Sequence, residues 1–175
     1  MMRGMIRQLL ASILLVALIL PAGGAEPKSA RLSIVDYFRA LPDEAMDAQP
    51  AAWLAANDGN DTRRVVDKKN GYLRGEGDGG QPNFECALFR YHDDRPLLAL
   101  CQGELEEADS VHLEFYVLGS GGRMRKASRS IFPVADGAGK RFILPREGRT
   151  IIVRDLSGRH EHRFDWDGEG FVEQK

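Results

Sequence analysis

The chain is poor in cysteine and has no long apolar run beyond its first segment, and these shortages exclude several classes of protein. Its 175 residues contain only two cysteines, Cys86 and Cys101, and neither is near residue 25, which excludes lipid attachment of the bacterial lipoprotein kind at that point. After the first segment no stretch has the roughly 20 apolar residues that span a bilayer. The glycine-rich residues 75–80 lack the lysine and the spacing of a phosphate-binding loop, and no solenoid repeat is visible. We therefore expect no cofactor.

The N-terminal segment predicts export. Two arginines within the first seven residues precede an apolar run at residues 9–20, and small residues follow it. This order is typical of a secretory signal peptide, and the apolar run is too short for a membrane-spanning helix. We predict a signal peptide at residues 1–25, cleaved near Ala25, and a single exported β-rich domain at residues 26–175. The exported domain is expected to be periplasmic or secreted, with no transmembrane segment after cleavage.

Residues 84–101 contain both cysteines and a dense apolar alternation, and they predict a β-hairpin closed by a disulfide. Two apolar runs flank the turn-prone residues 92–95. Folding the hairpin about the middle of this turn places Cys86 opposite Cys101, where Cβ atoms are about 4.5–5.5 Å apart and a small local shift would close a disulfide. The alternative for either cysteine is a nucleophile or a metal ligand. The same pairing predicts one core face, formed by Ala87, Phe89, Tyr91, Leu98 and Leu100.

Short helices are predicted before a long series of strands. Ser33 and Asp36 form a capping-box pattern at the start of a helix over residues 34–41, and a second helix over residues 50–56 begins at a proline. Strands follow at 63–67, 72–75, the two arms of the hairpin, 111–118, 140–144, 150–155 and 159–166. Short connections favour antiparallel pairing, so the predicted fold class is α+β, mainly an antiparallel β meander of about eight strands with one or two short N-terminal helices packed on the sheet. A small β-sandwich or barrel is the alternative.

One local pattern resembles a known group of proteins. Residues 67–73 read DKKNGYL, residues 37–42 before them read YFRALP, and residues 87–89 after them read ALF. Together they resemble uncharacterised exported bacterial proteins with a D-x-x-N-G-Y-L hairpin motif. The resemblance would cover most of the exported domain. It implies an exported bacterial protein and brings no activity and no functional residues with it.

Three histidines are candidate metal ligands. His160 and His162 are two residues apart on a predicted strand, so both imidazole rings project from one face, as in several metal sites. His112 lies on the polar face of another predicted strand and could add a third ligand. The alternative is that these are exposed histidines with no ligand.

A basic run supplies the candidate binding residues. Basic side chains are concentrated in residues 121–163, whereas acidic ones prevail in residues 26–120. On a predicted strand, Arg123, Arg125 and Arg129 share one face, and guanidinium groups suit phosphate or carboxylate groups. The partners that this predicts are an anionic envelope lipid, a polysaccharide or an acidic protein. Nucleic acid is disfavoured by the predicted compartment and by the net charge of −2. The alternative is ordinary solvation of a strand or pairing of acidic with basic strands.

No catalytic set of side chains is evident, so the sequence does not favour an enzyme. We interpret the chain as a non-catalytic exported binding or interaction domain of unknown ligand. Two alternatives stay open: a metal-dependent envelope hydrolase that uses His160 and His162, and a structural accessory protein.

Overall fold

The structure, a computed structural model, describes residues 31–46, 49–56, 63–77, 82–103, 111–136 and 139–175. The predicted signal peptide lies outside these residues. Within the described ranges, no helix has both the length and the apolar character needed to cross a bilayer.

Two short helices open the described chain. Helix α1 spans Ile34–Arg39 and helix α2 spans Pro50–Ala55, with a 3-10 turn at Asp43–Ala45 between them. The predicted capping box at α1 is confirmed, because the Ser33 backbone N–H and hydroxyl both donate to the Asp36 carboxylate, at 2.8 and 2.7 Å. Both helices were expected from the sequence and end one or two residues earlier than predicted. Isolated helices of six residues are unstable in water, so these depend on packing against the sheet.

The strands in the described ranges form two antiparallel meanders, which confirms the predicted fold class. They are β1 (Arg64–Asp67), β2 (Tyr72–Gly75), β3 (Asn83–Arg90), β4 (Pro96–Gly103), β5 (His112–Leu118), β6 (Met124–Lys126), β7 (Lys140–Ile143), β8 (Thr150–Asp155), β9 (Glu161–Trp166) and β10 (Phe171–Glu173). One sheet has the order β1-β2-β3-β4-β5-β6 and the other has the order β10-β9-β8-β7. Within each sheet every strand pairs with the strands next to it in the sequence, whereas β6 and β7 are joined by a longer connection and lie in different sheets.

The six-stranded sheet is covered on both faces, which gives a three-layer arrangement of helices, large sheet and small sheet. On one face, side chains from β2 to β5 pack against the small sheet and the β6–β7 connection; the cluster includes Ala87, Phe89, Leu97, Ala99, Phe115, Phe132, Ile151, Phe164 and Trp166. On the other face, the cluster includes Ile34, Phe38, Trp53, Leu73, Phe84, Leu98, Leu100 and Tyr116. Strand β4 lies at the centre, and its residues 97–100 are fully buried.

The predicted disulfide is wrong, because the β3–β4 hairpin has a different register. Cys86 lies opposite Leu100, and Cys101 lies opposite Glu85. Since successive side chains of a strand point to opposite faces, this shift of one residue puts the two thiols on opposite sides of the sheet. Cys86 is in the core beneath the helices, Cys101 is in the core between the sheets, and both are free.

The length of the turn accounts for the shift. The Tyr91 N–H donates to the Arg95 carbonyl at 3.0 Å, which leaves a loop of three residues, and Asp94 in that loop has φ +67°. A three-residue loop with a final left-handed residue is a common hairpin turn. A two- or four-residue loop centred between Asp93 and Asp94 would have placed the cysteines opposite each other. The predicted core face is consequently right for β3 and reversed for β4, where Leu98 and Leu100 face the helices.

Candidate functional site

The three arginines of the predicted binding surface do not share a face. Strand β6 ends at Lys126, and Ser128 then caps a 3-10 turn at Arg129–Ile131 by accepting a hydrogen bond from the Ser130 N–H. Arg125 lies in β6 and Arg123 directly precedes it, whereas Arg129 lies in the 3-10 turn beyond the end of the strand. The prediction of one shared face is wrong because the sequence pattern continued the strand through this cap.

Arg129 has structural partners instead. Its guanidinium donates to the Val134 carbonyl at 2.6 Å and to the Asp136 carboxylate at 2.8 Å. It also lies 5.3 Å from the ring centre of Phe132 and 5.8 Å from that of Phe115. These contacts attach the β6–β7 connection to the core between the sheets. Arg123 and Arg125 are exposed, and neither forms an ion pair with a described residue.

Replacing Arg129 with glutamine is expected to lower the free energy of unfolding by about 1–3 kcal/mol, because the partly buried Val134 carbonyl and the Asp136 carboxylate lose a charged donor. The same replacement at exposed Arg125 is the matched control and is expected to change stability by less than about 0.5 kcal/mol. Urea denaturation followed by tryptophan fluorescence measures both. Equal losses in the two variants would contradict the structural role of Arg129.

The structure brings two of the three candidate metal ligands together and separates the third. His160 and His162 line one pocket with Glu173, and the His162 Nδ1 lies 2.6 Å from the Glu173 Oε1. His112 begins β5 in the other sheet. Among the residues that the structure describes, no group of three or more His, Cys, Asp or Glu side chains is arranged to hold a metal ion. The three histidines therefore do not form the predicted site, because their strands belong to different meanders.

A groove of about 490 Å³ gathers cationic side chains from four separate parts of the chain. It lies where residues 31–34, the β1–β2 turn, the end of β3 and the β7–β8 loop meet. The cations that line it are Arg31, Lys68, Lys69, Arg90 and Arg149. None of its described lining residues is acidic. We call this feature the cationic groove.

The β1–β2 turn has a local structure that supports the two lysines. Asn70 donates to the Asp67 carboxylate through its backbone N–H at 3.1 Å and through its side chain at 3.0 Å, and Gly71 follows with φ +69°. Asn-Gly is the dipeptide expected at such a turn, since a positive φ is strained for residues with a Cβ. Lys68 and Lys69 are exposed in this turn.

Asp67 also joins the turn to the β7–β8 loop of the small sheet. The Arg146 Nε donates to its carboxylate at 2.9 Å. Hydrogen bonds from the Asn70 side chain and from Arg146 lower the pKa of Asp67 to about 2, so it is ionised at neutral pH. This contact anchors the loop that carries Arg149 to the turn that carries the lysines.

Two cations at the other end of the groove share one carboxylate. Arg31 forms an ion pair with Asp94, and the Arg90 Nε lies 3.8 Å from the same carboxylate. Arg90 also donates to the Leu32 carbonyl at 3.4 Å and lies 5.8 Å from the ring centre of Tyr37. These contacts fix the extended residues before α1 along one wall of the groove.

The remaining three cations, Lys68, Lys69 and Arg149, form no ion pair with any described residue. Hydrogen bonds from Ser33 lower the pKa of Asp36, and hydrogen bonds from Thr150 and Gln174 lower the pKa of Asp165, with smaller contributions from the charges of Lys68 and Arg149 respectively. Neither carboxylate forms an ion pair with these cations: Asp36 accepts hydrogen bonds from Ser33, and Asp165 accepts them from Thr150 and Gln174. No carboxylate of a described residue therefore pairs directly with the cations at this end of the cationic groove.

The chemistry of the lining favours binding over catalysis. Its described residues include no histidine, cysteine or carboxylate, and its one hydroxyl, from Ser33, donates to Asp36. Guanidinium and ammonium groups bind anions directly, as a bidentate fork and as a point charge respectively. The sequence contains one signal for this site, the adjacent lysines in the DKKNGYL turn. The distant arginines that complete it are brought there only by the fold.

Family models, curated proteins and solved structures were all searched, and none matches the chain. The resemblance of residues 67–73 to exported bacterial proteins remains a prediction.

Proposed function

We propose that the protein is a non-catalytic exported domain that binds an anionic component of the cell envelope, with the cationic groove as its binding site. The observation that carries this proposal is the convergence of five cationic side chains from four parts of the chain on one groove without a lining carboxylate. The signal-peptide pattern of residues 1–25 supports the envelope as the compartment.

The electrostatic balance of the molecule supports the same proposal. The chain has a net charge of −2, and yet the groove is positive. Three of the cations that line this one groove, Lys68, Lys69 and Arg149, are exposed and form no ion pair with a described residue, so they are free to meet an anion. A groove of several hundred Å³ is also within the range of small-ligand sites, which is about 300–1,000 Å³.

Replacing both Lys68 and Lys69 with glutamine is expected to weaken binding to anionic envelope material. The probes are phosphatidylglycerol vesicles, phosphatidylcholine vesicles as the neutral comparison, and polygalacturonate. Each lysine near an anionic surface contributes about 1 kcal/mol, so the double variant should bind the anionic probe roughly tenfold more weakly or worse at low salt. Co-sedimentation at increasing salt concentration measures the loss, and binding of the unaltered protein should fall as salt rises.

The matched control is the double variant Arg123→Gln, Arg125→Gln, which removes the same charge from an exposed surface outside the cationic groove. It is expected to bind as the unaltered protein does. An equal loss in both double variants would show non-specific attraction rather than a site. A loss only in the arginine variant would move the site to the surface that the sequence predicted, and no loss in either would refute a cationic site at both places.

A further inference from the structure

The density of positive charge in the cationic groove restricts the class of anion that can bind there. An inference about that anion rests on the proposed function. Five cations line a groove of about 490 Å³. Asp94 compensates one of them through its shared contacts with Arg31 and Arg90, which leaves four positive charges without a described carboxylate at ion-pair distance. A matching ligand must bring a similar negative charge within the length of one small molecule.

Few anionic groups supply that density. A phosphate monoester carries about −1.5 to −2 at pH 7, so two such groups supply roughly −3 to −4. A uronic acid, an acidic side chain or a phosphodiester headgroup carries a single negative charge. One such group would leave most of the groove's charge uncompensated. We infer that the ligand of the cationic groove carries two or more phosphate groups.

The placement of the cations fits several phosphates better than one. Lys68 and Lys69 lie on the β1–β2 turn, Arg149 lies on the β7–β8 loop, and the other two arginines share Asp94 at the wall formed before α1. A single phosphate offers three terminal oxygens, whereas linked or adjacent phosphates offer oxygens to cations on several walls at once.

The groove also has apolar lining beside its cations. Leu32 is 47% exposed at its wall, and Leu88 is half-buried there. An organic body that carries the phosphates can rest on these side chains and remove apolar surface from water. The shared chemistry of the ligand is therefore clustered phosphate. Its source is either a soluble phosphorylated molecule or the headgroup of a phosphorylated lipid.

Isothermal titration calorimetry of the purified exported protein tests the inference. The probes are orthophosphate, pyrophosphate, tripolyphosphate and polygalacturonate, all at matched ionic strength. We expect affinity to rise along the phosphate series, with tripolyphosphate binding roughly tenfold or more tightly than orthophosphate, since each added charge meets further cations. The variants Lys68→Gln, Lys69→Gln and Arg149→Gln should each weaken tripolyphosphate binding severalfold, whereas Arg123→Gln, Arg125→Gln should not.

Two vesicle preparations distinguish the source. One contains a phosphatidylinositol bisphosphate and the other contains phosphatidylglycerol at the same total charge. Stronger groove-dependent binding to the phosphatidylinositol bisphosphate vesicles than to the phosphatidylglycerol vesicles supports a lipid headgroup as the ligand. Binding of tripolyphosphate with no such preference between the vesicles supports a soluble ligand. Both outcomes support the inference. Equal affinity for orthophosphate and tripolyphosphate, or tighter groove-dependent binding of polygalacturonate, would overturn the inference and leave the proposed function standing. Failure of every anionic probe to bind in a groove-dependent manner would overturn both.

Discussion

Gly75→Ala is expected to lower the free energy of unfolding by about 3 kcal/mol, at the upper end of what overfilling a packed core costs. A Cβ at this position would overlap the Cε1 of Phe84 and lie 3.0 Å from its Cζ and from the Trp53 Nε1. Gly75 is opposite Phe84 in the β2–β3 pairing, so the absence of a side chain is what lets the Phe84 ring lie across the strand.

Phe84 has little room to move away from an added methyl group. It is 4% exposed and stacks on Phe38 with ring centres 5.4 Å apart, and Trp53 meets it edge-on at 4.9 Å. Phe38 belongs to α1 and Trp53 to α2. A displaced Phe84 would therefore push both helices away from the sheet, and helices of this length depend on that contact.

Gly121→Ala is the matched control, because a Cβ there would have nothing within 4 Å. It is expected to change stability by no more than about 0.5 kcal/mol. Urea denaturation of both variants measures the difference, and far-UV circular dichroism shows whether each is folded before unfolding begins. If Gly75→Ala and Gly121→Ala have the same free energy of unfolding, the Phe84 and Trp53 rings do not pack against β2 as closely as described.

Features set by neighbouring residues could be predicted from the sequence. The capping box at Ser33 and Asp36, the Asn70-Gly71 turn and the alternation of β5 are of this kind, and all are present in the structure. Each depends on a short stretch with one strong local preference. The pairing of consecutive strands within each sheet could also be predicted, since short connections between strands allow few other topologies.

The register of β4 could not be predicted, because the pattern that usually sets it is missing. Residues 96–101 are buried without a break, so both faces of the strand are apolar and a shift of one residue leaves the hydrophobic pattern intact. The choice is made by the three-residue loop and by Asp94 in the left-handed region. Asp-Asp in a turn is compatible with even and odd loops alike.

The cationic groove could not be predicted from the sequence for a different reason. Arg123, Arg125 and Arg129 are close in sequence and suggested a patch, but the strand ends at Lys126 and Ser128 caps a 3-10 turn that contains Arg129. Arg31 and Arg149 of the cationic groove are more than a hundred residues apart in sequence and meet only through packing of both sheets and the segment before α1. Charges that converge through tertiary structure leave no local pattern.

Refolding under oxidising conditions is expected to trap most of the chain in a non-native state joined by a Cys86–Cys101 disulfide. In the native register the two thiols lie on opposite faces of the large sheet, so the bond and the native hairpin exclude each other. A slip of one residue brings them directly opposite, and the two apolar faces of β4 make that slip less costly than in most strands. A disulfide that closes a loop of this size stabilises the state that holds it by roughly 3 kcal/mol, a large part of the 5–15 kcal/mol typical of a domain.

The folded protein should be protected from the same reaction. Both cysteines are buried, and burial raises the pKa of Cys86 and raises the pKa of Cys101 to about 12. Since the thiolate is the reactive form, neither side chain should react with a thiol reagent until the protein unfolds. Refolding from urea with dithiothreitol is expected to recover the native protein, whereas refolding with glutathione disulfide should not.

Cys86→Ala and Cys101→Ala are the controls, because neither variant can form the bond. Both are expected to recover equally in the reducing and the oxidising buffer, with mass spectrometry reporting the covalent state and tryptophan fluorescence the native fraction. Unaltered protein that carries the disulfide and unfolds at or above the temperature of the reduced protein would show that the thiols face each other in the native hairpin, since a disulfide that fits the native state stabilises it. That result would replace the three-residue loop with an even one and exchange the two faces of β4. Under the register found here, a chain that folds in an oxidising compartment must complete this hairpin before its thiols are oxidised, so the order of folding and oxidation decides how much of it becomes native.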